Sequence, residues 1–311
     1  MTRKADEIFA RADQVLAKLE ALMAPQPAPV LWDASIAFRW RRTPNAPGRL
    51  QPVQHVHRIQ LSDLQGVEAQ IARVEQNTRQ FMEGRPANNV LLTGARGTGK
   101  SSIVKGLLNK YARRGLRLIE IEKNDLVDLP AITELVSSRP ERFIVFCDDL
   151  TFEAGEPGYI ALKVALDGSI ATTSENLLIY ATSNRRHLMP EYMAENLETK
   201  YIGEEIHPGE TVEEKISLSE RFGLWVSFYP FDQDEYVGIV AHWLQRFGCS
   251  AEQAKRARDE SLQWALQRGS RSGRVAYQFA RDWAGRHASG AGNEARGAAR
   301  RTGERRSRRS T

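Results

Sequence analysis

The chain has 311 residues, of which 41% are hydrophobic and 27% charged, with a formal net charge of +5. That length can bury one large domain plus a smaller one, and the composition is that of a globular chain, which excludes fibrous and fully disordered classes. No apolar run reaches the roughly 18 residues a bilayer span needs. The two cysteines, Cys147 and Cys249, are far apart and lack C-x-x-C spacing, which argues against structural zinc and fits a reducing, cytoplasmic setting.

The charge is unevenly spread. Residues 286–311 hold eight Arg against Glu294 and Glu304, a local net charge of +6 that leaves the rest of the chain at −1. This tail is rich in Gly, Ala, Ser and Arg and is expected to be disordered, because it has too little apolar surface to offset the entropy of ordering. Such an arm can hold nucleic acid through phosphates, and a merely solubilising tail is the alternative.

At the other end, residues 2–23 place Ile8, Phe9, Ala12, Val15, Leu16, Leu19 and Leu22 on one helical stripe, which reads as an amphipathic helix rather than a signal peptide. A Pro-rich break follows at residues 24–29. Residues 31–60 mix aromatics and basics, as in Phe38-Arg-Trp-Arg-Arg42, and are expected to form a partly ordered lead-in. His55 and His57 in it carry no metal-binding spacing. Residues 1–60 are the segment expected to select a partner.

From residue 61 the pattern is regular. Short apolar strands are predicted at 88–93, 116–122, 142–147, 177–181 and 224–229, alternating with helices at 102–113, 129–137 and 159–166. Alternation of this kind predicts an α/β core over 61–231 with a parallel sheet covered on both faces. Residues 232–285 switch to helices only. Asp232 with Glu235, and Ser250 with Gln253, have capping-box spacing, and Tyr236, Ile239, Val240, Trp243, Leu244 and Phe247 supply a buried face.

The most informative stretch is Leu91-Leu-Thr-Gly-Ala-Arg-Gly-Thr-Gly-Lys-Ser101, which contains G-x-x-x-x-G-K-S between a strand and a helix. Glycines let backbone N–H groups turn inward around phosphate oxygens, and the following helix points its positive end at the same anion. Gly94, Ala95, Arg96, Gly97, Thr98, Gly99, Lys100, Ser101 and Ser102 are therefore the expected nucleotide-binding residues. Lys100 is expected at the β- and γ-phosphates of ATP and the Ser101 hydroxyl at Mg²⁺.

Three further features carry chemistry. The apolar strand Phe143-Ile-Val-Phe-Cys147 runs into Asp148-Asp149. Asp148 is the expected metal-side residue, acting through water, and Asp149 the residue that positions or polarises the attacking water; two helix-capping aspartates are the alternative. The fourth strand ends in Ala181-Thr-Ser-Asn184, where the Asn184 amide can meet the γ-phosphate or the water, or simply cap a turn. Arg221, before the fifth strand, and Arg274, opening the last helix, are cations that acquire meaning from their order relative to these motifs. Taken singly, each reads as a surface arginine.

In that order the motifs resemble the AAA+ ATPase superfamily over roughly residues 61–285. The P-loop at 94–101 resembles Walker A, Asp148-Asp149 Walker B, Asn184 the first sensor, Arg221 the arginine finger and Arg274 the second sensor. Leu61-Ser-Asp-Leu-Gln-Gly-Val67 is similar to the segment that lines the adenine pocket there. Three strings, Pro86-Ala-Asn-Asn-Val-Leu-Leu92, Thr182-Ser-Asn-Arg-Arg-His-Leu188 and Glu213-Glu-Lys-Ile-Ser-Leu-Ser-Glu-Arg-Phe-Gly-Leu224, resemble a bacterial AAA+ family of ATP-binding proteins of undefined cellular role.

The resemblance implies a sheet of order 5-1-4-3-2 with a C-terminal helical lid. It also implies Mg²⁺ and ATP between subunits of a homo-oligomeric ring, a hexamer being one such ring, and a protein or nucleic-acid client. Arg221 would serve a neighbour's site, with Arg185 and Arg186 as rivals. Two departures stand out. Walker B ends Asp-Asp rather than Asp-Glu, one methylene short. Lys123-Asn-Asp-Leu126 lacks the aromatic of polypeptide-threading machines, and Phe152 and Tyr159 are the nearest aromatics. A nucleotide-gated scaffold with little turnover and a nucleic-acid-associated ATPase are the alternatives to a hydrolysing remodeller or loader.

Overall fold

The structure is a computed structural model and describes residues 30–43, 46–152, 156–167, 175–185, 200–202, 205–207 and 218–287. The stripe at 2–23, the Pro-rich break, Arg186 and the tail beyond His287 lie outside the described residues. Among the described residues no helix is long and apolar enough to cross a membrane.

The strands are β1 (Ala37–Thr43), β2 (Ala46–Pro52), β3 (Val90–Gly94), β4 (Leu116–Glu120), β5 (Arg142–Cys147), β6 (Leu177–Ser183), β7 (Lys200–Ile202), β8 (Glu205–His207) and β9 (Leu224–Phe228). The helices are α1 (Glu68–Met82), α2 (Lys100–Tyr111), α3 (Leu129–Ser137), α4 (Pro157–Asp167), α5 (Gln233–Arg246), α6 (Ala251–Arg256), α7 (Arg258–Gln267) and α8 (Gly273–His287). Seven strands form one sheet in the order β2-β1-β4-β5-β6-β3-β9, and β7 pairs with β8 separately. The pairs β1–β4, β4–β5, β5–β6, β6–β3 and β3–β9 are all parallel. Numbered from the P-loop strand, the five predicted strands run 5-1-4-3-2, the order implied by the resemblance.

Alternation along each central strand explains the layers. Val90, Leu92, Ile144, Phe146 and Tyr180 belong to a core on one face, against Val74 and Phe81 of α1 and Ile103, Leu107 and Leu108 of α2. Leu91, Phe143, Val145, Ile179 and Ala181 belong to the core on the other, against Ile132 and Val136 of α3 and Leu162 of α4. Strands buried on both faces read as continuous apolar runs, which is why they were visible as such. Lid residues Tyr236, Ile239, Val240, Leu244, Phe279 and Trp283 join the first core, so the helical region is packed onto the sheet layer. Both expected capping boxes are present, with Asp232 accepting from the Glu235 N–H and Ser250 from the Gln253 N–H.

Two expectations need correction. Residues 37–52 are not a partly ordered lead-in but a β-hairpin that extends the sheet beyond β4. Phe38 and Trp40 face the core while Arg39 and Arg41 face outward to Glu120 at 2.7 Å and Glu122 at 2.6 Å. The Trp40 Nε1–H donates to Asp128 Oδ2 at 2.9 Å. The acidic partners lie far along the chain, so the basic run looked unpaired in sequence. The second correction is at the C-terminus. Arg286 belongs to α8, not to the tail, because its guanidinium pairs with Glu260 at 2.5 Å and Asp282 at 2.9 Å. Smaller shifts are at element ends: α2 opens at Lys100 directly after the left-handed Gly99, and β6 runs on to Ser183.

The asparagines of the string at 86–92 hold the P-loop strand in place. Asn88 exchanges two 2.9 Å hydrogen bonds with the Asn77 side chain of α1, and Asn89 Oδ1 accepts from the Ile179 N–H at 2.8 Å. The buried Tyr180 hydroxyl meets Thr78 Oγ1 at 2.8 Å and accepts from Asn77 Nδ2 at 3.2 Å.

Candidate functional site

The site forms at the C-terminal ends of β3, β5 and β6, where parallel strands release their loops. Gly94 closes β3 at φ 119°, and a Cβ there would lie 1.9 Å from the Phe228 carbonyl oxygen. Only glycine lets β9 approach this closely, and the Ala95 N–H donates to the same oxygen at 3.2 Å. Gly97 at φ 73° and Gly99 at φ 99° carry the loop into α2. The Thr98 hydroxyl, buried, donates to the Ala95 carbonyl at 2.9 Å and braces the turn.

Lys100 is only 5% exposed. Its ammonium donates to the carbonyls of Gly94 at 2.8 Å and Ala95 at 2.7 Å and to Asn184 Oδ1 at 3.0 Å. Burial pushes its pKa down to about 8; Asp148 and Asp149 oppose the shift, and Arg274 and Arg96 reinforce it. The Asn184 amide spans the site, because its Nδ2 also donates to Asp149 Oδ1. Lys100, Asn184 and Asp149 thus form one connected circuit across three separate segments.

Beside it lies a hydroxyl–carboxylate pair. Ser101 Oγ donates to Asp148 Oδ1 at 2.6 Å, and Thr182 Oγ1 donates to the same oxygen at 2.5 Å. Thr182 Oγ1 accepts from the Asp149 N–H at 2.9 Å. An exposed-side hydroxyl next to one carboxylate oxygen is a hard, all-oxygen donor set that suits Mg²⁺ held partly by substrate phosphates. Cys147, just before, is pushed up to about 12 by burial and stays a thiol, so it adds no soft ligand.

The lid reaches this loop through the start of α8. The Arg274 N–H donates to the Gly97 carbonyl at 3.3 Å, and a Cβ on Gly97 would meet Ser272 Cβ and Oγ at 2.9 Å. The Ser272 side chain in turn accepts from the Val275 N–H at 3.3 Å as the helix opens. Leu64 and Leu61 flank the other side, against Gly99 and Gly106 of the P-loop helix. Asp63, 5% exposed, ties that segment to the lid through Arg246 at 2.9 Å.

The structure thus brings together the P-loop, Asp148, Asp149, Asn184 and the backbone of Arg274. It does not bring Arg221 to them. β3 and β9 are parallel with Gly94 opposite Phe228 and Val90 opposite Leu224, so Arg221, which precedes β9, lies toward the N-terminal ends of the strands, away from the site. Four residue steps of strand separate the two ends by roughly 13 Å. Arg221 Nε donates to Asp167 Oδ1 at 2.5 Å, at the far end of α4. Arg185 is exposed just after Asn184. Phe152 and Tyr159 are buried and meet edge-on at 5.7 Å, a core contact. Sequence reading placed Thr98 in the loop without its bracing hydrogen bond and missed Thr182, Ser272 and Phe228. Thr182 stood two residues before Asn184 on a strand predicted to end at 181, so its inclusion in β6 and its direction went unread.

A family model described as "Protein of unknown function (DUF815)" matches residues 33–287. The chain belongs to the DUF815 family. No curated protein sequence matches it. Among solved structures, two point mutants of Thermotoga maritima RuvB are 14% and 15% identical to this DUF815 protein, with TM-scores of 0.45 and 0.43; each alignment covers 73% of this chain. The chain spans 64% of the length of those RuvB chains. A chain of the Escherichia coli MS115-1 HORMA–CdnC–Trip13 complex is 11% identical with a TM-score of 0.47, covering 71% of this chain and 90% of that one. The strand order, the P-loop against the acidic strand end and the helical lid make the fold of this DUF815 member AAA+-type α/β.

Proposed function

We propose that the protein binds and hydrolyses Mg-ATP at interfaces between its own subunits and uses the cycle to remodel or load a macromolecular partner. The observation that carries the reading is the convergence of Lys100, Ser101, Asp148, Asp149 and Asn184 within hydrogen-bonding reach at one strand-end site.

The contacts support a role for each residue. The N–H groups of residues 94–101 and the start of α2 surround the phosphates, and the Lys100 ammonium exchanges the Gly94 and Ala95 carbonyls for phosphate oxygens. Ser101 and Asp148 would hold the cation, which would neutralise charge developing on the phosphates. Asp149 accepts a hydrogen bond from the attacking water, and Asn184 sets the distance between that carboxylate and the Lys100-bound phosphate. Arg274, anchored at Gly97, reports lid position to the same phosphates.

Arg221 supports the oligomeric part of the reading. Its distance from its own P-loop along β9 supports service in a neighbouring subunit's site, where, released from Asp167, it would be a cation that stabilises transition-state charge. The homo-oligomeric ring, its size and the protein or nucleic-acid client belong to this proposal. The test is steady-state ATP hydrolysis by wild type against Asp149→Asn, with mass by light scattering with and without ATP. Turnover abolished in the variant, together with an ATP-dependent larger assembly, is the expected result. No hydrolysis by wild type in any assembly state would sink the ATPase reading.

One observation favours a second reading, a nucleotide-gated scaffold with little turnover. Asp149, already a methylene short of glutamate, is engaged by Asn184. Tight ATP binding with negligible hydrolysis would select it.

A further inference from the structure

Asp149 has φ 55°, the left-handed region, and is the one non-glycine residue with positive φ among the described residues. Aspartate tolerates that conformation better than longer or branched residues, yet it still needs surroundings that hold it there. The holding is done by one residue of the neighbouring strand. Thr182 is 2% exposed on β6. Its hydroxyl accepts from the Asp149 N–H at 2.9 Å and donates to Asp148 Oδ1 at 2.5 Å, and its carbonyl accepts from the Leu150 N–H at 2.7 Å. Three hydrogen bonds therefore fasten residues 148–150 to a single point on β6. The hydroxyl's one proton is committed to Asp148, so its lone pair is what remains for Asp149.

We propose that Thr182 is the positioning residue of the acidic strand end. It locks the left-handed turn at Asp149 so that the shorter carboxylate still reaches the Lys100–Asn184 pair. It also keeps Asp148 Oδ1 oriented when the Ser101 hydroxyl turns away from it toward a cation. The turn thus compensates through the backbone for the methylene that the side chain lacks. The inference rests on the Mg-ATP reading of the site.

The test pairs Thr182→Val, which keeps the branched shape and removes the hydroxyl, with Thr182→Ser, which keeps the hydroxyl and removes the methyl. Two quantities are read on the full-length protein. The first is the affinity for a fluorescent ADP analogue with and without Mg²⁺. The second is ATP turnover resolved into kcat and KM. Thr182→Val is expected to bind the metal-free nucleotide as wild type does and to lose the tightening by Mg²⁺. Its kcat should fall by roughly 100-fold, the cost of a misplacement near 1 Å, and its KM for Mg-ATP should rise by the same factor as the Mg²⁺ tightening that is lost. Thr182→Ser is expected to restore both readouts. Should Thr182→Val fail to fold, Thr182→Ala removes the same hydroxyl without an added methyl and carries the same expectation. A hydroxyl-free variant equal to wild type in both readouts overturns the proposal. Thr182→Ser as impaired as Thr182→Val also overturns it, since packing of the methyl would then be the residue's role. Failure of the nucleotide reading is distinguishable, because it would show as absent binding in wild type itself.

Discussion

Burial of Lys100 makes a directional prediction about pH. Its pKa is pushed down to about 8 from an ordinary value of 10.5, because the ammonium is taken out of water among backbone carbonyls. Nucleotide binding uses the charged form, and a phosphate beside it restores the charge at the cost of taking up a proton. With a pKa of about 8, roughly three-quarters of Lys100 is charged at pH 7.5 and about one-thirtieth at pH 9.5. Affinity for ADP should therefore weaken by roughly 25-fold over that range, approaching tenfold per pH unit at its upper end. Isothermal titration calorimetry in buffers of differing ionisation enthalpy measures both the slope and the proton taken up. Lys100→Arg is the control. A guanidinium remains charged throughout, so its affinity, though lower, should be flat with pH. The stability of the unliganded protein should move the other way. Between about pH 8 and 10.5 the unfolded chain holds the Lys100 proton and the native protein does not, so this residue's contribution to stability rises with pH across that window. A wild-type affinity that is flat from pH 7.5 to 9.5, or an equal slope in Lys100→Arg, would refute the assignment of the buried ammonium to phosphate binding.

Two further outcomes follow from the geometry. Arg221→Ala should leave nucleotide affinity within about twofold of wild type while lowering turnover by about 10³-fold or more, the scale of an arginine-finger loss. Adding a subunit that carries Arg221 but has Asp149→Asn should restore part of that turnover, and no rescue in mixed assemblies would count against action in a neighbour's site. Gly97→Ala should weaken nucleotide affinity by roughly tenfold, because the new Cβ sits 2.9 Å from Ser272 in a left-handed loop position, a conformation costing about 1–2 kcal/mol for an L-residue. Fluorescence titration checks this, and unchanged affinity would mean the contact between the lid and the P-loop is irrelevant to binding.

How much was legible depended on how local the cause was. The P-loop could be read directly, since its glycines, lysine and serine act within eight consecutive residues whose backbone angles are set locally. The central strands were legible because burial on both faces leaves an uninterrupted apolar run. Both lid capping boxes were visible because each is closed by a residue three positions on. The hairpin at 37–52 was hidden because its inward aromatics and outward arginines make sense only once Glu120, Glu122 and Asp128 lie alongside. Arg286 was assigned to the tail by composition, and its pairing with Glu260 on another helix was out of view.

The sequence by itself determined the chemistry available: a glycine-rich loop opening a helix, a lysine, a hydroxyl, two carboxylates and an amide. It also determined the order of the segments that carry them. Only the tertiary structure decided which of these meet. Parallel pairing of β3, β5 and β6 puts Lys100, Asp149 and Asn184 into one circuit, and parallel pairing of β3 with β9 places Arg221 toward the N-terminal ends of the strands. Packing of α8 on the core lays Arg274 against Gly97, and burial moves the Lys100 pKa. Thr182 acquires its place in the same way, from the register between β6 and β5 that sets its hydroxyl beside Asp148 and Asp149. Residue type fixes what a group can donate or accept, whereas distance, register and desolvation arise between segments far apart in the chain.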